Sequence, residues 1–333
     1  MNRLDGRIVR LAVPSVMAAL SAPLIGIADT AMIGHLPEVA FLGAVSTASV
    51  LFSILYWSTG FLRMGSTSMV SHFYGAADVR SCAHILHRSL LIALALSSVM
   101  VLLGETVAPL GFELAGGSDD VQHWGMRYFS VRLYEAPLVL AVLTLNGFFL
   151  GTANALAPMY VTFTANIVNV AADYALIYGH WGLPEMGVVG AAWASVLGNL
   201  AALGVGVFLF ATRYADCWRQ PLRGLLDRAK FALIFRTNAH LFGRTLCLQF
   251  AQFSMLAIAS RLGEVPLAAN AVVWQLWGLS SFAVDGFAHA AETLVGNLLG
   301  ERRYAEARQM AGRIIVWGTG VGTLFGLLFL VAL

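Results

Sequence analysis

An all-α fold, a bundle of helices that crosses a membrane many times, is predicted by three features of the sequence. Of 333 residues, 59% are hydrophobic and 11% charged, against roughly 45–50% apolar and about 25% charged in an ordinary soluble domain. The apolar residues gather into nine runs, centred near Ser21, Ile54, Val99, Leu140, Val168, Leu200, Met255, Leu279 and Gly322, each close to the roughly 20 residues a spanning helix needs. The basic residues fall almost entirely in alternate connections between those runs. A soluble core could not hide so much apolar surface, whereas a bilayer solvates it from outside, so a cytosolic enzyme or soluble helical repeat is excluded. A net charge of +2 gives no extended basic field, and nucleic acid is not expected as a partner. Cys82, Cys217 and Cys247 lack metal-ligand spacing and read as small core residues.

The first run follows Arg3, Arg7 and Arg10 and continues to Gly34, too long for the apolar part of a cleaved signal peptide, and so reads as a retained first helix. Positive charge near helix ends stays on the cytoplasmic side. The segments holding Arg80, Arg88, Arg213 to Arg236 and Arg302 to Arg313 share a side with the amino terminus, while the opposite side carries only Arg127 and Arg261. The amino terminus is therefore expected inside, in a plasma (inner) membrane. Between the third and fourth runs, Glu105, Glu113, Asp119 and Asp120 precede any basic residue, as an outer loop should.

The chain also repeats. Glu38-Val39 aligns with Glu264-Val265, Gly60-Phe61 with Gly286-Phe287 and Thr67 with Thr293; after one deletion Gly75 meets Gly300 and Arg88 meets Arg313. Both copies start on the same side, so the axis relating them should run along the membrane normal. The expected organisation is an amino-terminal six-helix lobe over 1–212, a basic cytoplasmic linker over 213–236, and the first three helices of a second, pseudo-symmetric lobe over 237–333. That second lobe is incomplete, and a complete relative should carry about three more helices.

Function is sought among the charges left in apolar runs, because a mid-bilayer charge costs about 2.5–3.5 kcal/mol on insertion scales. Asp29 lies five residues before Gly34 and Asp173 six before Gly179, so at 1.5 Å per residue both sit about 8–9 Å below the outer boundary and could meet. Asn166 and Asn169 share a helical face with Asp173, and Ser195 offers a hydroxyl about 12 Å deep on the sixth helix. Two carboxylates in low dielectric resist carrying two charges at once, an arrangement suited to proton exchange. The alternative is polar packing between helices without an ion.

A second stripe on the eighth helix holds Asp285, His289 and Glu292. Either Arg63 meets the Asp285/Glu292 face across the two lobes and helps close an inner gate, or these charges pair within a lobe at the headgroup boundary. Arg132 and Glu135 share a face and would neutralise one another. Pro14, Pro23 and Pro137 are expected inside helices, where proline permits a bend. Trp57, Trp274, Trp277, Phe282 and Phe287 offer either a face for flat cations or contacts to lipid and core.

The stretch Asp29-Thr30-Ala31-Met32-Ile33-Gly34-His35-Leu36, then Leu42-Gly43-Ala44, resembles the multidrug and toxic compound extrusion (MATE) family, in particular its DinF-like branch. The segments Gly190-Ala191-Ala192-Trp193-Ala194-Ser195 and Asp285-Gly286-Phe287-Ala288-His289-Ala290-Ala291-Glu292, followed by Gly300, are similar to its sixth- and eighth-helix motifs. The resemblance implies two six-helix lobes around a V-shaped cavity that export amphipathic, often cationic organic compounds in exchange for protons or sodium. It implies a cation-coupling role for Asp29, Asn169 and Asp173. It puts Ser195 where relatives often have Thr, and Glu135 where a small residue is expected. No enzymatic step, metal or cofactor is called for, the ion gradient supplying the energy; the partners expected are the transported compounds and membrane lipid. Two alternatives remain open, a lipid-linked oligosaccharide flippase of similar build and a truncated, non-transporting membrane protein.

Overall fold

A computed structural model describes residues 3–221 and 223–332. The side chains of Arg3, Ala22, Pro23, Leu24 and Ala332 lie outside the description, and with them the bend expected from Pro23. Twelve α-helices follow in order: α1 (Arg3–Ile33), α2 (Val39–Thr59), α3 (Phe61–Gly75), α4 (Val79–Ala115), α5 (Asp119–Arg132), α6 (Ala136–Gly151), α7 (Leu156–Tyr178), α8 (Gly187–Arg213), the single turn α9 (Ala215–Trp218), α10 (Arg228–Leu262), α11 (Glu264–Gly300) and α12 (Tyr304–Ala332). Helix ends follow local chemistry. Ser118 accepts from the Val121 N–H at the start of α5 and Asp227 from the Ala229 N–H at the start of α10. Gly179, at φ +71°, ends α7 in the left-handed conformation glycine tolerates.

Two spans are broken. α2 and α3 form one crossing interrupted at Gly60, and α5 and α6 form another interrupted by a 3₁₀ turn at Leu133–Glu135. Among the described residues, eight stretches are long and apolar enough to cross a membrane. The 23-residue α7 is long enough but is not one of the eight, because Asn166, Asn169 and Asp173 dilute its apolar character. α8 ends at Arg213 and α10 begins at Arg228, so the first turns of α10 occupy part of the segment expected as linker. That connection is tied to α4. The His84 Nε2–H donates to the Pro221 carbonyl at 2.9 Å, and Arg88 donates to the Gly224 and Leu225 carbonyls at 2.7 Å each.

Helices α7 and α8 form the most extensive pairing, with α1 against α7 and α5 against α8. At one end of this lobe Phe52 stacks on Phe129, ring centres 4.5 Å apart, within a core that also holds Ile33, Phe112, Tyr128, Ile177 and Val188. At the other end, α1, α3 and α6 meet α11, burying Ile8, Leu11, Leu150, Leu294, Leu298 and Met310 together. Close approach there requires glycine. A Cβ on Gly75 would fall on the Asn297 carbonyl, and one on Gly300 would fall on the His72 carbonyl. In the register that aligns Gly75 with Gly300, His72 corresponds to Asn297, so the two contacts are reciprocal, as a two-fold relation demands.

Two expectations change. Cys82 and Cys217 are buried, but Cys247 is exposed on α10, a helix whose flank is largely open. Pro137 stands in the first turn of α6 rather than inside a helix, whereas Pro109 lies within α4. Of the two roles open to Phe287, the structure shows a packing contact: it stacks on Trp317, ring planes 9° apart.

Candidate functional site

Three polar rungs join α1 to α7. The Asn166 Nδ2 donates to the Ser21 carbonyl at 3.0 Å, the Asp29 and Asp173 carboxyls face one another within hydrogen-bonding reach, and the Tyr178 hydroxyl donates to the Met32 carbonyl at 2.7 Å. The residue numbers rise together on both helices, so α1 and α7 run parallel, and the acids meet at matching depth. Asp173 is wholly buried. Both of its carboxyl oxygens and Oδ1 of Asp29 lack a donor among the described groups. A proton shared between them would supply the missing donor.

The pair stands at the wall of a cavity of about 570 Å³ inside the amino lobe, lined by Asp29, Asn166, Asn169, Ser195, Arg132 and Glu135 together with Phe52, Tyr56 and Trp57. Asn169 and Ser195 are buried, and the Asn169 amide oxygen has no partner. All five residues expected at a cation site thus lie in one place, with Asp173 just behind the wall.

Arg132 and Glu135 do more than neutralise one another at a helix surface. Their ion pair, 3.0 Å, forms part of the cavity wall. The Arg132 guanidinium also donates to the Tyr128 hydroxyl at 2.9 Å and lies 5.0 Å from the Phe52 ring centre, a cation–π distance. Glu135 accepts a further bond from the Asn199 amide at 3.3 Å. Among the described residues, the one cation lining the cavity is therefore paired with Glu135, leaving the Asp29 and Asp173 carboxyls without a paired countercharge. Sequence reasoning missed Asn199 and Tyr56; Asn199 lies one turn beyond Ser195 on α8 and would have been found by extending that polar stripe.

The eighth-helix stripe lies elsewhere, on α11, which packs against α1 and α3. Arg63 of α3 approaches Glu292 of α11 at 3.6 Å, an ion pair too long for a hydrogen bond. Asp285 is exposed and makes no ion pair with Arg63, and His289 lies half-buried between the two acids on the same helix. Arg63 therefore meets the stripe through Glu292, and Asp285 is not its partner.

Residues 14–175 and 241–333 match the sequence model of the MatE family. The chain belongs to the MatE family. It is 32% identical over 305 residues to "DNA damage-inducible protein F" of Escherichia coli, a match that covers 90% of this chain and 64% of that protein, in agreement with the branch its motifs resemble. It is 28% identical to a "Probable multidrug resistance protein NorM" of Bradyrhizobium diazoefficiens, covering 90% of this chain and 65% of the relative. The MatE chain thus spans about two thirds of the length of these relatives. Its fold matches a structure titled "Outward-facing conformation of a multidrug resistance MATE family transporter of the MOP superfamily", with a TM-score of 0.84 over 98% of this chain and 71% of that one. Another titled "Crystal structure of MATE in the bent conformation" gives a TM-score of 0.86 over 98% of this chain. Identities of 21% and 20% make these comparisons of fold alone. The MatE assignment and the apolar helices make this a multi-pass membrane protein with two-lobe architecture.

Proposed function

We propose that this MatE chain belongs to a secondary antiporter that exports amphipathic, cationic organic compounds from the cytoplasm in exchange for protons. The single observation that carries the reading is the Asp29–Asp173 pair, two carboxyls without donors joining α1 to α7 at the edge of the amino-lobe cavity. Because Arg132 is committed to Glu135, the acids present a net negative wall to an organic cation, and a proton competes for the same charge. Protonating Asp29 removes that attraction and alters the hydrogen bonds along the α1–α7 seam. α1 then shifts against α7 and the compound leaves. Asn166, Asn169 and Ser195 supply polar contacts around the exchanged ion. The multidrug-resistance names of the relatives support the substrate class.

The basic connections support a cytoplasmic amino terminus, and in that orientation the closed end of the bundle, where α1 and α3 meet α11, faces inward. Arg63 and Glu292 lie in that closure and act as part of an inner gate, with Asp285 and His289 beside Glu292 on α11. In reconstituted vesicles, an imposed pH gradient should drive ethidium efflux, and Asp29→Asn should abolish it. Efflux untouched by that substitution removes Asp29 from the mechanism. Efflux that follows a sodium gradient and ignores pH assigns the ion to sodium.

A further inference from the structure

At the closed end of the bundle, three arginines from two distant parts of the chain converge on one cavity of about 740 Å³: Arg7 and Arg10 on α1, and Arg213 at the end of α8. The transport reading above leaves them unused. Among the described residues no acidic side chain lines this cavity, and none of the three arginines makes an ion pair. The floor is the short connection between α6 and α7. It is fixed in place: the Thr152 hydroxyl bonds to the Tyr214 hydroxyl at 2.8 Å, and the Asn154 amide donates to the same oxygen at 3.2 Å. Tyr214 directly follows Arg213, so the bonds that hold the floor also place that arginine. The N-terminus of α7 opens onto the same space; Asn154 Oδ1 caps the Ala157 N–H, and the helix dipole adds positive potential.

The rest of the lining is of a different kind. Val13 and Leu156 line the cavity while half-exposed, and Tyr74 presents its ring and hydroxyl beside them. Exposed guanidiniums gathered in a concave site that also presents apolar side chains match a molecule with an anionic phosphate head and hydrocarbon chains. Basic pockets between helices at a membrane boundary bind such headgroups, at about 1 kcal/mol per Arg near the surface.

We infer that this cavity is a binding site for the phosphate headgroup of an acidic phospholipid, clamped by Arg7, Arg10 and Arg213, with the acyl chains leaving past Val13 and Leu156. An occupied site ties the inner end of α1 to α8 and to the α6–α7 connection, on the helix that also carries Asp29. The inference requires only that the bundle span a bilayer, and stands independently of the coupling roles of Asp29 and Asp173.

The test uses the full chain in vesicles of equal phosphatidylglycerol and phosphatidylcholine, extracted in neutral detergent, with the retained lipids quantified by mass spectrometry. Phosphatidylglycerol should be enriched over phosphatidylcholine by at least about fivefold, the factor one guanidinium near a charged headgroup supplies. The enrichment should vanish in the triple variant Arg7→Gln/Arg10→Gln/Arg213→Gln. It should also fall in Leu156→Trp, which fills the cavity and leaves every charge in place, so the prediction survives if the triple variant fails to fold. It should persist in Arg219→Gln/Arg302→Gln/Arg308→Gln, which removes the same charge elsewhere on the basic face. Equal loss in that control would show a diffuse surface field and overturn the site. Unchanged enrichment in Leu156→Trp and the triple variant would overturn it too. Displacement of the lipid by millimolar inorganic phosphate would assign the cavity to a soluble anion and overturn the lipid assignment.

Discussion

The guanidinium of Arg63 stands 3.6 Å from the carboxylate of Glu292, across a seam where equivalent parts of the two repeats touch. Both side chains are mostly buried, at 21% and 25% exposure, so each charge loses water without gaining a short hydrogen bond. Such a pair contributes modestly, about 1 kcal/mol. Glu292→Gln and Arg63→Gln should each lower stability by about that amount, and the reciprocal exchange Arg63→Glu/Glu292→Arg should recover most of it. Asp285→Asn should leave stability nearly unchanged. A double-mutant cycle on thermal unfolding in detergent measures the coupling; zero coupling would show that the two charges are neighbours without interacting.

The Arg132–Glu135 pair should behave differently. Glu135 is 1% exposed and its ion pair with Arg132 is 3.0 Å long. Removing only the acid leaves a guanidinium in a cavity wall without its countercharge. Glu135→Gln should therefore cost up to about 3 kcal/mol, the low end for breaking a buried pair, because Arg132 retains some exposure and its contact with Phe52. The double variant Arg132→Met/Glu135→Gln should be more stable than Glu135→Gln alone, since the orphaned charge is gone. Equal melting temperatures for the two variants would contradict this account.

The amino-lobe acids were legible in the sequence because depth along a spanning helix is simple arithmetic: Asp29 and Asp173 were placed at one level from their distances to Gly34 and Gly179. The repeat register was legible too, and Gly75 and Gly300, aligned from sequence alone, make reciprocal contacts at the seam. Rotation about the helix axis was not legible. In a soluble protein an apolar stripe marks the buried face, but in a bilayer lipid and core are equally apolar, so the pattern around a helix carries little information. That is why the shared face of Arg132 and Glu135 gives their pairing but not their place in a cavity wall, why Cys247 is expected in the core, and why Asp285 and Glu292 cannot be told apart as partners of Arg63 from sequence alone.

Outside the bilayer, Asp78 caps α4. Its carboxylate accepts from the Ser81 N–H at 2.9 Å and from the Ser81 hydroxyl at 2.7 Å. Partial burial alone would push this carboxyl up, but the Ser81 hydrogen bonds and the charge of Lys230 outweigh it and hold the group below its ordinary 3.8. The cap therefore contributes fully above that value and is lost as pH falls through the lower, folded-state value. Asp78→Ala should cost about 1 kcal/mol at neutral pH, and the difference from wild type should shrink in strong acid. Unfolding curves at several pH values test both statements. A difference that stays constant into strong acid would show that the charge on Asp78 is not what stabilises the helix start.

The coupling acids themselves should be a source of instability. Asp173 is fully buried, neither of its carboxyl oxygens has a donor, and it faces a second carboxyl on α1. An unsatisfied buried polar group costs about 1–3 kcal/mol, more when charged. Asn at position 173 has nearly the same shape and provides an N–H that can donate to Asp29. Asp173→Asn should therefore raise stability by about 1–3 kcal/mol at a pH high enough to strip the shared proton from the wild-type pair, while efflux driven by a pH gradient is lost. The stabilisation should narrow in acid, where a proton on the wild-type pair forms the equivalent hydrogen bond. Functional sites commonly trade stability for activity in this way. A variant that loses both stability and efflux would instead make Asp173 a packing residue whose loss disturbs the α1–α7 seam.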